Sequence, residues 1–227
     1  MAINFITWLW GGKYDWTDVV RLAHGIRKHA DHRLVVFADR VGPDLPPYVE
    51  QRLIAAVDRV LMTRSCFVRL RMFDPIWQRA NGFKDRIVSL DLDLVITGTI
   101  EPLFETPSSF MILKGANEVN PNPFNASIMM LRPGHHADVW DDFRPDAAQI
   151  LPHHEFPDDQ GWIWHKLPNA DGWQAGSQSG IYGFQKPGWP KGSFDLPPDA
   201  RIVAFIGKRK PRMYESVPWV RRYWIAA

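Results

Sequence analysis

Two aspartates separated by one leucine are the strongest chemical signal in the chain. Asp91 and Asp93 directly follow Ile87 to Leu90, a short apolar run with the β-branched bias of a buried strand. Because alternate residues of an extended chain point to the same side, the two carboxylates can converge while Leu92 packs away from them. Hard carboxylate oxygens suit Mn²⁺ and Mg²⁺, which keep positions open for substrate phosphates and water. The pair therefore predicts a partial site for a divalent ion.

The elements around this pair predict an open α/β sheet. Ile3 to Trp8 has the pattern of a strand, Val19 to His29 has apolar residues at helical spacing, and Leu34 to Ala38 is a second strand. Such a β-α-β order places ligands at the carboxyl ends of the strands. The other predicted elements are helices over Tyr48 to Val57 and Phe67 to Trp77, and strands over Val60 to Met62 and Phe110 to Gly115.

The segment around the two aspartates resembles the D-x-D segment of GT-A-fold glycosyltransferases. It is most similar to that of the glycogenin-like enzymes of family eight. The resemblance rests on Val88 to Val95 and on the turn that follows, Gly98 to Leu103. It implies that Asp91 and Asp93 hold the divalent ion, Mn²⁺ or Mg²⁺, that bridges the diphosphate of a nucleotide sugar.

Two later segments resemble the family's sugar side, in the family's order. Phe124 to Arg132 resembles a strand in which an Asn and a small residue line the sugar pocket, which implies that Asn125 and Ser127 contact sugar hydroxyls. Asp159 and Gln160 match an Asp-Gln motif at the start of a helix. The resemblance places these two residues beside the reacting carbon of the sugar and gives them the catalytic role.

Other segments resemble the family's nucleotide side. Tyr14 matches a Tyr that stacks on the uracil ring, with Thr7 close by, and Arg69 matches an Arg directed at the D-x-D site. Ile202 to Pro211 combines a strand, a glycine and a basic run. Its glycine frees backbone N–H groups, while its lysines can meet phosphate oxygens. The diphosphate-binding residues implied there are Gly207, Lys208 and Lys210.

The sequence departs from the family pattern at two positions. Ala204 stands where the family has a metal-binding His, and Arg212 stands where it has a Trp. The ion would then be held by the two aspartates, phosphate and water only, or would bind more weakly. Trp173 and Trp189 lie in a Gly-, Pro- and aromatic-rich region that we interpret as the acceptor-side wall, with either indole as a sugar platform.

Composition narrows the choice of protein class. Lys and Arg number 27 against 25 Asp and Glu, so the formal charge of +2 gives no overall electrostatic case for nucleic acid. With one cysteine no disulfide can form within the chain, which fits a reducing compartment. No apolar run approaches about 18 residues, so we expect no transmembrane segment. These features predict a cytoplasmic protein.

We therefore predict an α/β fold, a single GT-A (Rossmann-like) domain over residues 1–227. It would have a mixed central sheet, helices on both faces and an irregular C-terminal lobe. Residues 1–115 would form the nucleotide-binding half and residues 116–227 the sugar and acceptor half. The expected activity is metal-dependent transfer from a nucleotide diphosphate sugar, a UDP-hexose, to an acceptor hydroxyl, with retention.

Several alternatives stay open on the sequence. A saccharide or glycoconjugate is the favoured acceptor, and a modified nucleic acid is a second one. The chain could instead be a nucleotidyltransferase, although Gly11-Gly12-Lys13 is a poor version of the basic phosphate loop that this class shows after its first strand. Because Ala204 removes an expected ligand, a catalytically impaired sugar-nucleotide-binding protein is the other alternative.

Overall fold

In a computed structural model, which describes residues 3–55, 66–116, 122–144 and 158–226, seven strands form a central sheet in the order β3-β2-β1-β4-β7-β6-β8. Its strands are β1 (Ile3–Leu9), β2 (Leu34–Ala38), β3 (Val49–Leu53), β4 (Arg86–Leu90), β6 (Phe110–Lys114), β7 (Phe124–Leu131) and β8 (Asp171–Gln174). A three-stranded sheet contains β5 (Leu94–Ile96), β10 (Ile202–Ala204) and β9 (Ile181–Gly183), in that order.

The described helices lie on both faces of the central sheet, except the last one, which packs against the small sheet. They are α1 (Trp16–Ala30), α2 (Pro75–Ala80), α3 (Asp138–Asp141), α4 (Asp159–Lys166) and α5 (Pro218–Tyr223), with 3-10 turns at Phe67–Phe73, Glu101–Phe104 and Pro211–Tyr214. Helix α1 buries Val19, Leu22 and Ile26 in the core on one face. The opposite face of the central sheet packs against Phe67–Phe73 and α4. The amphipathic pattern of α1 explains its placement, since its apolar stripe must be covered.

The central sheet is mixed, as predicted. Strand β1 pairs in parallel with β2 and β4, while β7 runs antiparallel to both of its neighbours, β4 and β6. Parallel strands bring their carboxyl ends to one edge of the sheet. The ends of β1, β2 and β4 therefore meet, and Asp91 and Asp93 follow the central one of the seven strands.

Two of the predicted helices are wrong in type or extent. Tyr48 to Val57 was predicted to be helical, but Val49–Leu53 forms the edge strand β3, because parallel pairing with β2 satisfies one side of its backbone. The predicted helix Phe67 to Trp77 is a 3-10 segment followed by a separate helix, Pro75–Ala80. Asp74 caps that second helix and Pro75 begins it, so the chain cannot continue as one helix. The strand predicted at residues 60–62 lies outside the described residues.

The small sheet returns the C-terminal part of the chain to the D-x-D segment. Strand β10 pairs antiparallel with β5, which begins one residue after Asp93, and the Phe205 N–H donates to the Asp93 carbonyl. An aromatic cluster containing Phe184, Phe205 and Trp219 anchors this sheet. The position of Lys210 near the aspartates therefore depends on core packing far along the sequence.

The two tryptophans interpreted as sugar platforms are buried, and that interpretation is wrong. Trp173 is 6% exposed and donates its indole N–H to the Leu103 carbonyl. Trp189 is 7% exposed, packs edge-on against Phe184, and donates to the Ser193 carbonyl. Both indoles are core residues whose polar edge has found a partner, which is the usual state of a buried Trp.

Candidate active site

The carboxyl end of β4 carries a cluster of buried charges built around the two aspartates. The Asp91 N–H donates to the Ser127 carbonyl, which ties the D-x-D segment to β7. Asp93 is 5% exposed, whereas the side chain of Asp91 is 28% exposed. One carboxylate is therefore held inside the protein, and the other is partly exposed to solvent.

Asp93 accepts two short hydrogen bonds on the same oxygen. The Tyr14 hydroxyl lies 2.6 Å from Asp93 Oδ2, and Lys210 Nζ also lies 2.6 Å from it. Burial and the neighbouring Asp91 charge raise the pKa of Asp93, and the Lys210 ammonium opposes them. Burial and the Asp93 charge raise the pKa of the Tyr14 phenol well above its ordinary value. Tyr14 is therefore a neutral hydrogen-bond donor at this site.

Arg69 joins Asp91 to the first residue of helix α4. Its Nη1 lies 2.5 Å from Asp91 Oδ1 and also donates to the Ala126 carbonyl. On its other side, Nη2 donates to Asp159 Oδ1 at 2.9 Å, and Nε lies 2.6 Å from Asp159 Oδ2. The planar guanidinium fork suits two carboxylates at once. The predicted Arg therefore reaches the D-x-D site.

Asp159 is completely buried behind Arg69. Burial raises the pKa of Asp159 to about 7, although the Arg69 charge opposes the shift. The helix cap is the preceding residue: Asp158 accepts from the Gly161 N–H. Asp159 is therefore free of the capping role, and its carboxylate instead holds the guanidinium.

A bulge in β7 brings together the residues that were predicted to lie on the sugar side. The register with β6 jumps between Ile112 and Leu113, from Met129 to Asn125, so that residues 126–128 have no partner in β6. The Ala126 N–H donates instead to Gln160 Oε1, and the Ser127 N–H donates to Asn125 Oδ1. Bulges commonly redirect side chains next to active sites. The predicted residues Asn125, Ser127 and Gln160 therefore come together at one wall.

Two of the predicted nucleotide-side residues are placed differently from the residues of the buried charge cluster. Thr7 is buried and donates to the Leu90 carbonyl at 2.7 Å, so it holds β1 against β4 and offers no surface to a ligand. Lys208 is exposed on the turn after Gly207. That glycine has φ +77°, the left-handed region that favours glycine, with nothing near a Cβ added there.

The loop after β1 is held by two residues that no sequence motif singled out. Asp39 accepts from the Gly11 N–H, and Arg40 donates to the carbonyls of Gly11 and Tyr14. Both residues directly follow β2, whose end lies beside that of β1. The signal available in the sequence was polar residues at the carboxyl end of a neighbouring strand. Together they fix the loop that carries Tyr14.

The site fits a divalent ion only as a pair of carboxylates. Within residues 3–55, 66–116, 122–144 and 158–226, no group of three or more His, Cys, Asp and Glu side chains gathers to hold a metal. Ala204 is fully buried, and its side chain carries no ligand atom. Magnesium-type ions are often held by one or two carboxylates plus substrate phosphates. Asp91 and Asp93 match that donor set.

Similarity to solved structures identifies the fold. No protein-family model matches the sequence, and no curated protein matches it. The chain is similar to galactosyltransferase LgtC, solved in complex with donor and acceptor sugar analogues, with 10% identity and a TM-score of 0.60 over 96% of this chain and 93% of that one. A Gln-to-Glu active-site mutant of LgtC gives 13% identity and a TM-score of 0.61 over the same shares.

A second glycosyltransferase shows the same fold. GlyE of Streptococcus pneumoniae TIGR4 is 16% identical with a TM-score of 0.54, over 92% of this chain and 56% of that one. At these identities the likeness shows the fold, which is the GT-A fold that the D-x-D resemblance predicted. No helix among the described residues has the length and apolar character needed to cross a membrane.

Proposed function

We propose that the protein is a glycosyltransferase that moves a hexose from a UDP-sugar to an acceptor hydroxyl, with retention at the anomeric carbon. The observation that carries the proposal is the convergence of Asp91, Asp93, Arg69 and Lys210 at the carboxyl end of β4. Two carboxylates and two buried cations are what a divalent ion and a diphosphate together require. The GT-A fold supports this use of the site.

In this proposal the nucleotide side is formed mainly by residues 1–115. Tyr14 would stack on the base, and Lys210 would bind the diphosphate. Asp91 and Asp93 would hold Mn²⁺ or Mg²⁺, which would supply electrostatic stabilisation of the leaving diphosphate. Gly207 would let the backbone approach the phosphates closely, with exposed Lys208 contributing charge.

The sugar side is formed by residues 116–227. Gln160, Asn125 and Ser127 line the bulged wall and would contact the sugar. The complete burial of Asp159 behind Arg69 favours a positioning role for its carboxylate and leaves Gln160 as the residue that touches the reacting centre. In the retaining step, the bond from the anomeric carbon to the diphosphate oxygen breaks as the acceptor oxygen bonds to the same face. A diphosphate oxygen takes the acceptor proton.

The acceptor in this proposal is a saccharide or glycoconjugate. A modified nucleic acid is the second choice, because Lys208 to Arg212 is a basic stretch next to the site. A cytoplasmic location belongs to the same proposal, favoured by the single cysteine.

The test is a comparison of nucleotide binding with sugar release. Thermal shift with UDP, GDP, CDP and dTDP, each with Mn²⁺, Mg²⁺ or EDTA, ranks the bases, because ligands that bind the native state raise the melting temperature. Hydrolysis or transfer of the matching nucleotide sugar is then measured. We expect a metal-dependent reaction that Asp93→Asn lowers about 100-fold or more, as loss of an electrostatic group at such a site does.

Asp142→Asn is the matched control, since it neutralises an exposed carboxylate that is paired with Lys166 of α4, and it should leave the rate unchanged. Release of pyrophosphate in place of UDP would identify a nucleotidyltransferase. Nucleotide binding without any turnover would identify a sugar-nucleotide-binding protein, which the loss of a ligand at Ala204 would then explain.

A further inference from the structure

The contact between Lys210 and Asp93 has a consequence for how the site takes up its ligands. Both side chains are almost completely buried, 9% and 7% exposed, and Lys210 Nζ lies 2.6 Å from Asp93 Oδ2. The same oxygen accepts from Tyr14. A buried carboxylate is costly unless it is paired, and this one already has a cation and a phenol in place.

The charges of the cluster are nearly balanced without any metal ion. When all are ionised, Asp91, Asp93 and Asp159 contribute three negative charges, and Arg69 and Lys210 contribute two positive ones. Adding a divalent cation alone would make the cluster net positive in a poorly solvated place, where like charges repel strongly. A nucleotide diphosphate would bring the negative charge that restores the balance.

Lys210 also covers the surface that the nucleotide would use. Its ammonium lies 5.3 Å from the centre of the Tyr14 ring, within the range of a cation–π contact. The residue precedes the 3-10 turn Pro211–Tyr214 and follows the exposed turn at Gly207, so its backbone lies between two short, irregular segments. A long flexible side chain at this place can exchange one anionic partner for another.

We infer that Lys210 is an internal counter-ion of the D-x-D carboxylates in the free protein. When a nucleotide diphosphate binds, the Lys210 ammonium leaves Asp93 and pairs with the diphosphate. Asp93 becomes available to a divalent ion only in that bound state. The inference rests on the proposed function. Metal and nucleotide would then bind with positive coupling, and each would raise the affinity for the other by the same factor.

The experiment measures Mn²⁺ binding directly, by the electron paramagnetic resonance signal of free Mn²⁺, with and without UDP. For the wild-type protein we expect weak binding of Mn²⁺ alone and an affinity about tenfold higher or more with UDP, within the usual range of such couplings. In Lys210→Gln, whose amide can still donate to Asp93, Mn²⁺ alone should bind more tightly than in wild type. The enhancement by UDP should shrink.

Two controls separate charge from general disturbance. Lys210→Arg keeps a cation beside Asp93 and should bind Mn²⁺ alone as weakly as wild type. Lys84→Gln removes an exposed charge just before β4, at the end of that strand away from the aspartates, and should leave binding of Mn²⁺ alone unchanged. If Lys210→Gln fails to fold, the wild-type measurement with and without UDP still tests the coupling.

The outcomes also distinguish this inference from the proposed function. Equal Mn²⁺ affinity with and without UDP, or no change in Lys210→Gln, would overturn the counter-ion role while leaving a metal-dependent transferase in place. A different outcome would be that neither wild type nor any variant binds Mn²⁺, with or without UDP, while UDP still binds in the presence of EDTA. That result would overturn the metal requirement itself and the counter-ion role with it.

Discussion

Two lysine–aspartate pairs with nearly equal contact distances lie in opposite surroundings in this protein. Lys210 and Asp93 are 2.6 Å apart with side chains 9% and 7% exposed. Lys166 and Asp142 are 2.5 Å apart with side chains 17% and 59% exposed, and Lys166 also lies 3.2 Å from Asp138. The contact distance is almost the same, but only in the first pair are both side chains shielded from solvent.

The difference in burial decides whether a pair is better explained by its contribution to stability or by a function. An exposed pair contributes little, because water and salt screen it. A buried pair loses solvation on both sides, and an apolar pair of the same size would often be at least as stable. The buried cluster around Asp93 and Arg69 is therefore poor evidence for stability and better evidence for a ligand that uses its charges.

The largest effect on stability is expected at Arg69, which belongs to the same buried cluster as Asp93. Arg69→Met removes the cation that faces fully buried Asp159 and would leave that carboxylate uncompensated. We expect the free energy of unfolding to fall by about 3–5 kcal/mol, the usual cost of breaking a buried pair on one side. Urea unfolding followed by circular dichroism measures it.

The double variant Arg69→Met with Asp159→Leu is the control. It removes both charges together and should recover a large part of the loss. A single variant that unfolds like wild type would show that Asp159 is solvated in solution, and the contrast with the surface pair would disappear.

The aspartate pair could be predicted from its place after an apolar strand, whereas most other site residues were predicted from the resemblance of their segments to a known family. The position of Asp91 and Asp93 after an apolar strand, and the basic run ending at Lys210, are local patterns, and the structure brings them together. Apart from the approach of Arg69 to the D-x-D site, the hydrogen-bond partners could not be predicted, because they depend on tertiary packing. The bond from Tyr14 to Asp93 spans 79 residues and that from Arg69 to Asp159 spans 90.

The wrong predictions about the fold have the same physical origin. Val49–Leu53 is an edge strand because β2 offers it a parallel partner, which no pattern within those five residues reveals. Trp173 and Trp189 were read from composition, and only packing decides whether an indole lines a cleft or fills a core. Local sequence patterns therefore predict which residue types come together at strand ends, but they do not predict which side chains are buried.

The pH dependence of unfolding gives a smaller effect with opposite signs in the two regions. Asp159 has a folded-state pKa of about 7, above the unfolded value near 3.9. Between these values the native state holds a proton that the unfolded chain has released, so this group makes stability fall as pH rises. Asp159→Asn should flatten that part of the profile measured by urea unfolding.

The surface carboxylate should behave in the opposite way. The Lys166 hydrogen bond lowers the pKa of Asp142, so its contribution is present above the unfolded pKa and is lost as pH falls through the folded one. Asp142→Asn should change only the acidic end of the profile. A profile of wild type that rises steadily between about pH 4 and pH 7 would contradict the raised pKa of Asp159.

The smallest effect is expected at Lys166. Lys166→Met breaks the contacts with Asp138 and Asp142, both more than half exposed, and the long stem of the lysine is replaced by a side chain of similar reach. We expect a small decrease in the free energy of unfolding that salt further reduces, since screening has already weakened the pair. Sugar transfer should be unchanged, whereas Lys210→Gln should lower it. If Lys166→Met instead slowed transfer as much as Lys210→Gln, helix α4 would be transmitting a surface charge to Gln160, and burial would not be what distinguishes the two pairs.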